Sequence, residues 1–398
     1  MTPQRDAPFR RTDLILLVAL ASVARIAPIL NGTGWTDLYA QQAIPILEHR
    51  NIYEVTRSIF PYSPVSMFLP ALCAKLTLLL HVPFSILMKL QSAAADVCIV
   101  AALYLVLAKK GHANARGWSL FYALNPVSIL ITGFHGNIIS IATLSSFLAY
   151  AVLLFGVERH YRLSALLLGL GIGFRSYPVL FLPFFLIRLR LPFRKRMSYL
   201  LHATVPTALS FLPFLALDPR ALLREVFTYS GATDYGLVAL LRAVHSLKGS
   251  ALLYGLPGGL HVALSGVSKY VFFAAYAVLL ALAPRRQLIV SIASTVLLFY
   301  CVVAGISSQY LLWLLPFAFL IRGRMPSLYV GAATWALVNF YWLYHPQILF
   351  GRFPVVRPPL RALLTGEVMG LSLLWIVCLA WLLRLSTRGA GRAGEEML

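Results

Sequence analysis

Apolar runs recur along almost the whole chain, and they constrain its fold more than any other feature. Residues 14–30 and 84–108 are two such runs. A helix that crosses the hydrocarbon core of a membrane needs roughly 17–25 predominantly apolar residues. Since lipid offers no hydrogen-bond partners to the backbone, such runs must form helices. The sequence therefore predicts an all-α membrane protein that crosses the bilayer many times, and it excludes a soluble fold.

The charge pattern supports the same interpretation. Only 12% of the 398 residues are charged, and the formal net charge is +21. In a soluble domain this charge would suggest nucleic acid, but here the basic residues cluster in short segments between apolar runs. We therefore expect membrane lipids as partners and no nucleic acid. The four cysteines are scattered and lack the paired spacing of a zinc or redox site.

The basic clusters also predict how the chain is threaded. With Arg10 and Arg11 in the cytoplasm, the later basic clusters fall on the same side under two conditions. Residues 61–80 must form an interfacial or re-entrant helix, and residues 163–187 must enter and leave as a broken helix pair. Other predicted spans are residues 118–134, 138–155, 199–217, 262–282, 288–304, 310–321, 328–344 and 363–383.

This threading predicts one transmembrane domain, residues 1–398, with about 10–12 transmembrane helices. Two long segments then lie on the outer, non-cytoplasmic side: residues 31–80 and residues 218–261. We expect the membrane to be a bacterial plasma membrane, with the endoplasmic reticulum as the alternative.

The thirteen acids are few enough to compare, and Asp37 is the strongest catalytic candidate. It follows the first predicted span, and the aromatic residues Trp35 and Tyr39 flank it at a spacing suited to stacking on a sugar ring. A carboxylate is a natural general base for a sugar hydroxyl. The alternative is structural, because Thr36 or Asp37 could cap the start of an interfacial helix.

The polar turn of residues 133–137 is a candidate anion site. Its glycines let backbone N–H groups approach a phosphate, and His135 and Asn137 add polar side chains. The alternative is a tight turn with a surface histidine.

Arg175 lies beside the predicted helix break, where an unpaired cation would be costly, so function is the default hypothesis. Arg25 also lies within a predicted span, but it has the reach to extend toward the interface.

Residues 308–313 open another predicted span with polar and aromatic side chains, including Gln309 and Tyr310. These side chains suit a sugar-binding surface. They are also typical of the aromatic belt at a membrane interface.

Four segments, in this order, resemble the C-type superfamily of multi-span glycosyltransferases that use polyprenyl- or dolichyl-phosphate sugars. They are residues 36–53 with the Pro-Tyr-Ser-Pro of 61–64, residues 125–137, the Phe-Arg-Ser-Tyr-Pro of 174–178, and the Ser-Gln-Tyr-Leu-Leu-Trp of 308–313. Within that superfamily the chain looks most like bacterial polyprenyl-phosphate-mannose mannosyltransferases and the first mannosyltransferase of glycosylphosphatidylinositol-anchor synthesis.

The resemblance implies that an acid of the first outer loop is the catalytic base, which corresponds to Asp37. It also implies that the long outer loops and the broken helices form the donor site. The residues expected to bind substrate are Trp35, Tyr62, His135, Asn137, Arg175, Tyr177, Gln309 and Tyr310.

The chain departs from the family pattern at two places. Tyr39 replaces the second acid of an Asp-x-Asp pair, so we expect no cofactor and doubt a divalent metal. The turn of residues 133–137 is followed by Ile138, Ile139 and Ser140, and no acid is among them.

The leading hypothesis is therefore an inverting glycosyltransferase, most simply a mannosyltransferase. Its donor would be a polyprenyl-phosphate sugar, and its acceptor a lipid-linked molecule or a glycan on the outer face. A polytopic transporter or lipid flippase is the main alternative, because intramembrane arginines also occur in those proteins. A non-catalytic subunit of a membrane complex is a third.

Overall fold

Helices form all the regular structure of the described residues, apart from one isolated β-bridge between Tyr235 and Ile306. The computed structural model describes residues 9–31, 36–55, 62–228, 232, 234–247, 259–350 and 358–387. The prediction of an all-α fold is confirmed for these residues.

The α-helices are numbered in chain order. The first twelve are α1 Arg11–Leu30, α2 Thr36–Leu47, α3 Ile52–Val55, α4 Val65–Leu80, α5 Phe84–Lys109, α6 Ala115–Ala123, α7 Pro126–Ile129, α8 Ile139–Leu153, α9 Val157–Phe174, α10 Leu182–Arg188, α11 Phe193–Leu217 and α12 Pro219–Thr228. The remaining seven are α13 Leu237–Leu247, α14 Leu260–Leu282, α15 Leu288–Val302, α16 Leu315–Ala318, α17 Met325–Tyr344, α18 Pro346–Phe350 and α19 Leu360–Thr387.

Within the described ranges, six helical stretches are long and apolar enough to cross a membrane. They are Arg11–Leu30, Phe84–Lys109, Ala115–His135, Phe193–Leu217, Val262–Arg285 and Leu360–Thr387. Five shorter apolar helices accompany them: Val65–Leu80, Ile139–Leu153, Tyr177–Arg188, Leu237–Leu247 and Leu288–Val302. The chain is a multi-pass integral membrane protein.

The chain divides into two compact units. The first comprises Met1–Leu124 and Ile131–Tyr229, and the second comprises Asn125–Leu130 and Ser230–Leu398. In the first unit α9 packs between α8 and α11, and α5 packs against α1, α2 and α8. Gly169 makes the α9–α11 contact close, since a Cβ at this position would lie 2.7 Å from the carbonyl oxygen of Ala203.

The helical path of the first unit is interrupted at Arg175. Helix α9 runs through Gly171 and Gly173 to Phe174, and Arg175 is then extended, with φ −150° and ψ 144°. A 3₁₀ segment, Tyr177–Phe181, leads into α10. The two glycines thus lie inside α9, where Gly171 allows close packing on Ser146 and Ala142. Tyr177, the residue before Pro178, is not α-helical. This is expected because a proline restricts the backbone conformation of the residue before it.

A buried polar network lies within the first unit and corrects the prediction for Arg25. Instead of extending toward the interface, Arg25 is fully buried, and its Nη2 and Nε atoms lie 2.5 and 3.0 Å from Asp96 Oδ2. The Tyr122 hydroxyl donates to the other carboxylate oxygen at 2.8 Å, and Thr132 Oγ1 lies 3.3 Å from Oδ2. The charge is therefore neutralised inside the protein, which is how membrane proteins accommodate intramembrane ions.

The second unit is centred on α19, which packs against α13, α15 and α17. The short helix α7 belongs to this unit and packs against α17. The predicted span 310–321 is not one helix, because residues Ser308–Leu312 form a 3₁₀ segment and α16 covers only Leu315–Ala318. Pro316, at the start of α16, cannot donate a backbone hydrogen bond and so favours this break.

Candidate active site

The start of α2 carries the proposed catalytic acid. Thr36 and Asp37 are its first two residues. An acid in the first turn of a helix is stabilised by the exposed N–H groups and the helix dipole. The side chain of Asp37 and all of Trp35 lie outside the described residues, so their predicted roles stay predictions.

The turn of residues 133–137 packs directly against the start of α2. Gly136 has a φ of +74°, and a Cβ there would lie 2.8 Å from Lys89 Cγ and 3.3 Å from Thr36 Cγ2. A side chain therefore has no room at this point. The turn is also buried, because His135 and Asn137 are each only 3% exposed. The alternative of a surface turn is wrong for these two side chains.

Asn137 organises the polypeptide around this turn. Its Oδ1 atom accepts a hydrogen bond from the backbone N–H of Ile139 at 3.0 Å, at the start of α8. Its carbonyl oxygen accepts from Ser92 Oγ of α5 at 2.5 Å. One side-chain oxygen is thus committed to starting the helix. Substrate binding by Asn137 stays a prediction.

Arg175 joins three separate parts of the first unit. Its Nη2 atom donates to the Tyr39 hydroxyl at 2.9 Å, and its Nη1 atom donates to the carbonyl of Phe174 at 3.1 Å. The guanidinium carbon lies 4.0 Å from the centre of the Tyr62 ring, within cation–π range. Arg175 is 4% exposed. The structure therefore brings Arg175, Tyr62 and helix α2 together.

Tyr39, which the resemblance puts at the second acidic position of the pattern, provides a neutral partner for Arg175. Burial raises the pKa of its hydroxyl, while the Arg175 charge opposes that rise. The group stays protonated at neutral pH. Its ring packs in a cluster with Cys73, Met88 and Ile138, which fixes the helix that also bears Asp37.

Tyr177 follows Arg175 closely in sequence but makes a different contact. Its hydroxyl lies 3.0 Å from Thr143 Oγ1 of α8, and its ring packs edge-on against Phe181 at 5.7 Å. The side chain is buried. These contacts are structural, and the predicted contact with substrate stays a prediction.

The sequence analysis did not select Lys89 as a site residue. A lysine inside the apolar run 84–108 is rare enough to indicate a functional position. It is fully buried, and its Nζ atom donates to the carbonyl of Pro28 at 3.1 Å. The Lys89 stem forms the surface on which Gly136 rests. Lys89 is therefore a second buried basic residue, besides Arg175, in the part of the first unit that contains the start of α2.

Gln309 and Tyr310 lie in the second unit. Gln309 Oε1 accepts from Ser307 Oγ, and Asp234 Oδ2 accepts from Ser307 Oγ and from the Ser308 N–H, both at 3.0 Å. Tyr310 stacks on Trp313 with ring centres 4.3 Å apart. The 3₁₀ segment is therefore tied to Asp234, a contact that sequence spacing did not reveal.

Comparison with protein families decides the class of the chain. The sequence pattern of glycosyltransferase family 87 matches residues 60–305, which is more than half of the 398 residues. The chain belongs to this family. No curated protein matches it significantly. Glycosyl transfer by a membrane enzyme is therefore established at the level of the family.

The matched part of this glycosyltransferase includes most of the predicted site. Tyr62, His135, Asn137, Arg175 and Tyr177 fall inside residues 60–305. The family match begins after Trp35 and Asp37 and ends before Gln309 and Tyr310. The assignment of the catalytic acid thus depends on chemistry and resemblance, not on the matched segment.

A metal site in this glycosyltransferase would require clustered ligands. Among the described side chains, no group of three or more His, Cys, Asp or Glu residues is arranged to hold a metal ion. The described side chains do not include that of Asp37. Metal independence stays a prediction.

Proposed function

We propose that this glycosyltransferase transfers a hexose, most simply mannose, from a polyprenyl-phosphate carrier to a lipid-linked or glycan acceptor. The reaction takes place on the non-cytoplasmic face and inverts the anomeric configuration. Family membership supports glycosyl transfer. The finer assignment of donor and sugar is supported by the resemblance of residues 36–64, 125–137 and 174–178 to polyprenyl-phosphate-dependent enzymes.

One observation carries the proposal: the buried Arg175 guanidinium is hydrogen-bonded to Tyr39, in the same first turns of α2 as Asp37. A polyprenyl phosphate leaves with more negative charge than it bears as part of the donor. Preorganised cations stabilise such developing charge, and a low-dielectric environment strengthens their effect. A fixed cation beside the acid-bearing helix is therefore the arrangement that this chemistry requires.

The reaction is a single displacement. The Asp37 carboxylate accepts the proton of the acceptor hydroxyl as its oxygen bonds to the anomeric carbon of the sugar. The bond between that carbon and the phosphate oxygen breaks on the opposite side. Both electrons of the broken bond leave with the polyprenyl phosphate, and the basic side chains stabilise the resulting charge. The products are the glycosylated acceptor, the free carrier phosphate and a proton on Asp37.

Arg175 and His135 are the residues proposed to act on the phosphate. Arg175 presents a planar set of donors suited to phosphate oxygens. His135 borders the Gly136 turn, which packs on Thr36, the neighbour of Asp37. In this proposal Asp37 on α2 removes the proton, and the basic residues Arg175 and His135 stabilise the phosphate.

A transporter or lipid flippase is less well supported. The chain shows no convincing internal repeat of the kind that many transporters contain. Membership of a glycosyltransferase family points to transfer chemistry instead. A non-catalytic subunit would require activity to survive the loss of Asp37, which a substitution can test directly.

The test is incubation of the purified protein with polyprenyl-phosphate mannose, glucose or arabinose and a mixed lipid and glycan acceptor fraction. Loss of donor and appearance of glycosylated product are followed together. We expect turnover with the mannose donor and little with Asp37→Asn. Turnover with none of the three donors would overturn the donor assignment, and equal turnover by Asp37→Asn would overturn the proposed base.

A further inference from the structure

The second unit contains an apolar cavity of about 210 Å³ along helix α19. Leu371, Leu374 and Cys378 of α19 line it, together with Leu240 of α13. An apolar cavity of about 150 Å³ is large enough to hold a benzene ring. This one therefore has room for a segment of hydrocarbon chain.

The face of α19 that lines the cavity continues to an acid. Glu367, Leu371, Leu374 and Cys378 are spaced by four, three and four residues, which places them on one side of a helix. The distance along the axis from Glu367 to Cys378 is about 16 Å. The α19 residues that line the cavity are thus apolar, and Glu367 lies one helical turn beyond them on the same face, outside the lining itself.

Near Glu367 there are several buried polar atoms without a hydrogen-bond partner among the described residues. Tyr235 lines the cavity and is 1% exposed. Across the residues that the structure describes, its hydroxyl, Glu367 Oε1 and Arg242 Nε have no hydrogen-bond partner. Glu367 is close enough to Tyr235 to help raise the pKa of its hydroxyl, after burial, Tyr341 and Asp234. Buried polar atoms are normally paired, so a cluster of unpaired ones indicates a ligand with matching groups.

The charges at this end balance. Arg242 Nη2 lies 3.7 Å from Glu367 Oε1, within ion-pair distance but too long for a hydrogen bond. The Tyr344 hydroxyl donates to Glu367 Oε2 at 3.1 Å, and the Arg242 guanidinium lies 4.8 Å from the Tyr344 ring. Because the arginine and the carboxylate offset each other, little positive charge is left for a phosphate. A carboxylate, a phenol and a guanidinium together suit hydroxyl groups, which both donate and accept hydrogen bonds.

We propose that this cavity binds the hydrocarbon chain of a lipid whose head is uncharged and bears hydroxyl groups. Glu367, Tyr235 and Arg242 hold the head, and the apolar face of α19 holds the chain. Such a molecule is a lipid-linked acceptor, and that role, unlike the binding itself, rests on the proposed function.

The experiment measures equilibrium binding of two radiolabelled probes with the same chain, octyl β-D-glucopyranoside and octyl phosphate. The full-length protein is reconstituted in phosphatidylcholine nanodiscs. We expect saturable binding of the glucoside that is tighter than that of the phosphate. Leu374→Trp fills the cavity and should weaken glucoside binding by about tenfold, the effect of excluding roughly two methylene groups. Ile376→Trp, on an exposed part of the same helix, is the matched control and should bind normally.

A second variant keeps the test valid if Leu374→Trp misfolds. Tyr235→Phe removes one hydroxyl that has no partner within the described part of the chain, so folding should be unaffected. It should weaken glucoside binding roughly three- to tenfold, whereas Tyr270→Phe, which is 80% exposed, should not. Glucoside binding that Leu374→Trp and Tyr235→Phe both leave intact would overturn the proposal. Tighter binding of octyl phosphate at the same cavity would do the same.

These outcomes are separable from those of the proposed function. Probe binding needs no donor, so it is measured in the absence of any polyprenyl-phosphate sugar. Normal binding without turnover on any polyprenyl-phosphate sugar would refute the proposed donor and leave the lipid site intact. Turnover without glucoside binding would refute the lipid site alone.

Discussion

The Nη2 atom of Arg175 lies 2.9 Å from the hydroxyl oxygen of Tyr39, two residues after Asp37 in helix α2. A phenol at this position adds no negative charge, whereas an aspartate would add a carboxylate to the partners of the arginine. Tyr39 thus holds the Arg175 guanidinium against the helix that bears the proposed base. The first three predictions follow from this arrangement.

Asp37→Asn should lower the turnover rate by roughly 10²–10⁴-fold, the range typical of general-base removal. Donor affinity should change little, because the donor phosphate is assigned to Arg175 and His135. Both quantities are measured by steady-state kinetics on protein shown to be monodisperse in detergent. Asp13→Asn, near the other end of α1, is the control and should retain activity. Near-normal turnover by Asp37→Asn would move the base to Glu48, Glu54, Asp234 or Glu367.

Tyr39→Phe should raise the donor KM by roughly three- to tenfold, since it removes one hydrogen bond to a charged donor. The turnover rate at saturating donor should fall less, because the base is retained. Tyr199→Phe is a matched control, as it removes a buried hydroxyl that pairs with Ser164 elsewhere in the first unit. An unchanged KM in Tyr39→Phe would show that Tyr39 does not position Arg175 for the donor.

Turnover should persist after removal of divalent metal. Tyr39 removes one carboxylate from the expected Asp-x-Asp pair, and a lone aspartate binds Mg²⁺ or Mn²⁺ weakly. The measurement compares initial rates in buffer, in excess EDTA, and in EDTA followed by excess manganese. Complete loss of turnover in EDTA with recovery in manganese would contradict this prediction.

Position 37 should be accessible from outside and Arg194 from the cytoplasm. Single-cysteine variants are labelled in intact cells with a membrane-impermeant maleimide after the four native cysteines are replaced, since Cys98 is exposed. His135 is too buried to report, so His81→Cys serves as a second outer position. Labelling of positions 81 and 194 from the same side would contradict the assignment of residues 163–187 as a pair that enters and returns.

Arg25→Met should lower the apparent melting temperature by about 5–10 °C, because it leaves Asp96 buried without its cation. Arg116→Met is the control. Arg116, whose side chain is exposed, pairs with the partly buried Asp13 at 3.4 Å, and the loss of such a pair should shift the melting temperature by no more than about 2 °C. Thermal unfolding is followed by fluorescence-detected size exclusion. Equal shifts for the two variants would show that the buried pair adds no special stability.

The sequence predicted the all-α fold and the class of protein, but it did not predict that residues 310–321 divide into a 3₁₀ segment and a short helix. Apolar runs predicted the long helices because hydrocarbon thickness fixes their length, and Pro178 signalled the break that occurs at Arg175. Family motifs pointed to residues that the first unit does gather, namely Tyr62, Arg175 and the Gly136 turn.

The sequence did not indicate which charged side chains pair with each other. Arg25 and Asp96 pair across 71 positions of the chain, and no local pattern distinguishes this pair from a snorkelling arginine. The same holds for Arg242 and Glu367, and for Lys89, whose acceptor is a backbone carbonyl. Spacing predicts which residues share a helix face, but contacts between distant helices depend on how the helices pack.

The pairing of Arg242 with Glu367 has a consequence for biosynthesis. Synthesis proceeds from the N-terminus, and α19 is the final helix of the described chain, so Arg242 is translated long before its carboxylate exists. During that interval Arg242 lacks its acidic partner on α19, and an unpaired cation is better tolerated in water or among lipid headgroups than in the membrane core. Arrival of α19 supplies both the carboxylate and a surface against which α13 packs. A chain that stops before α19 lacks both.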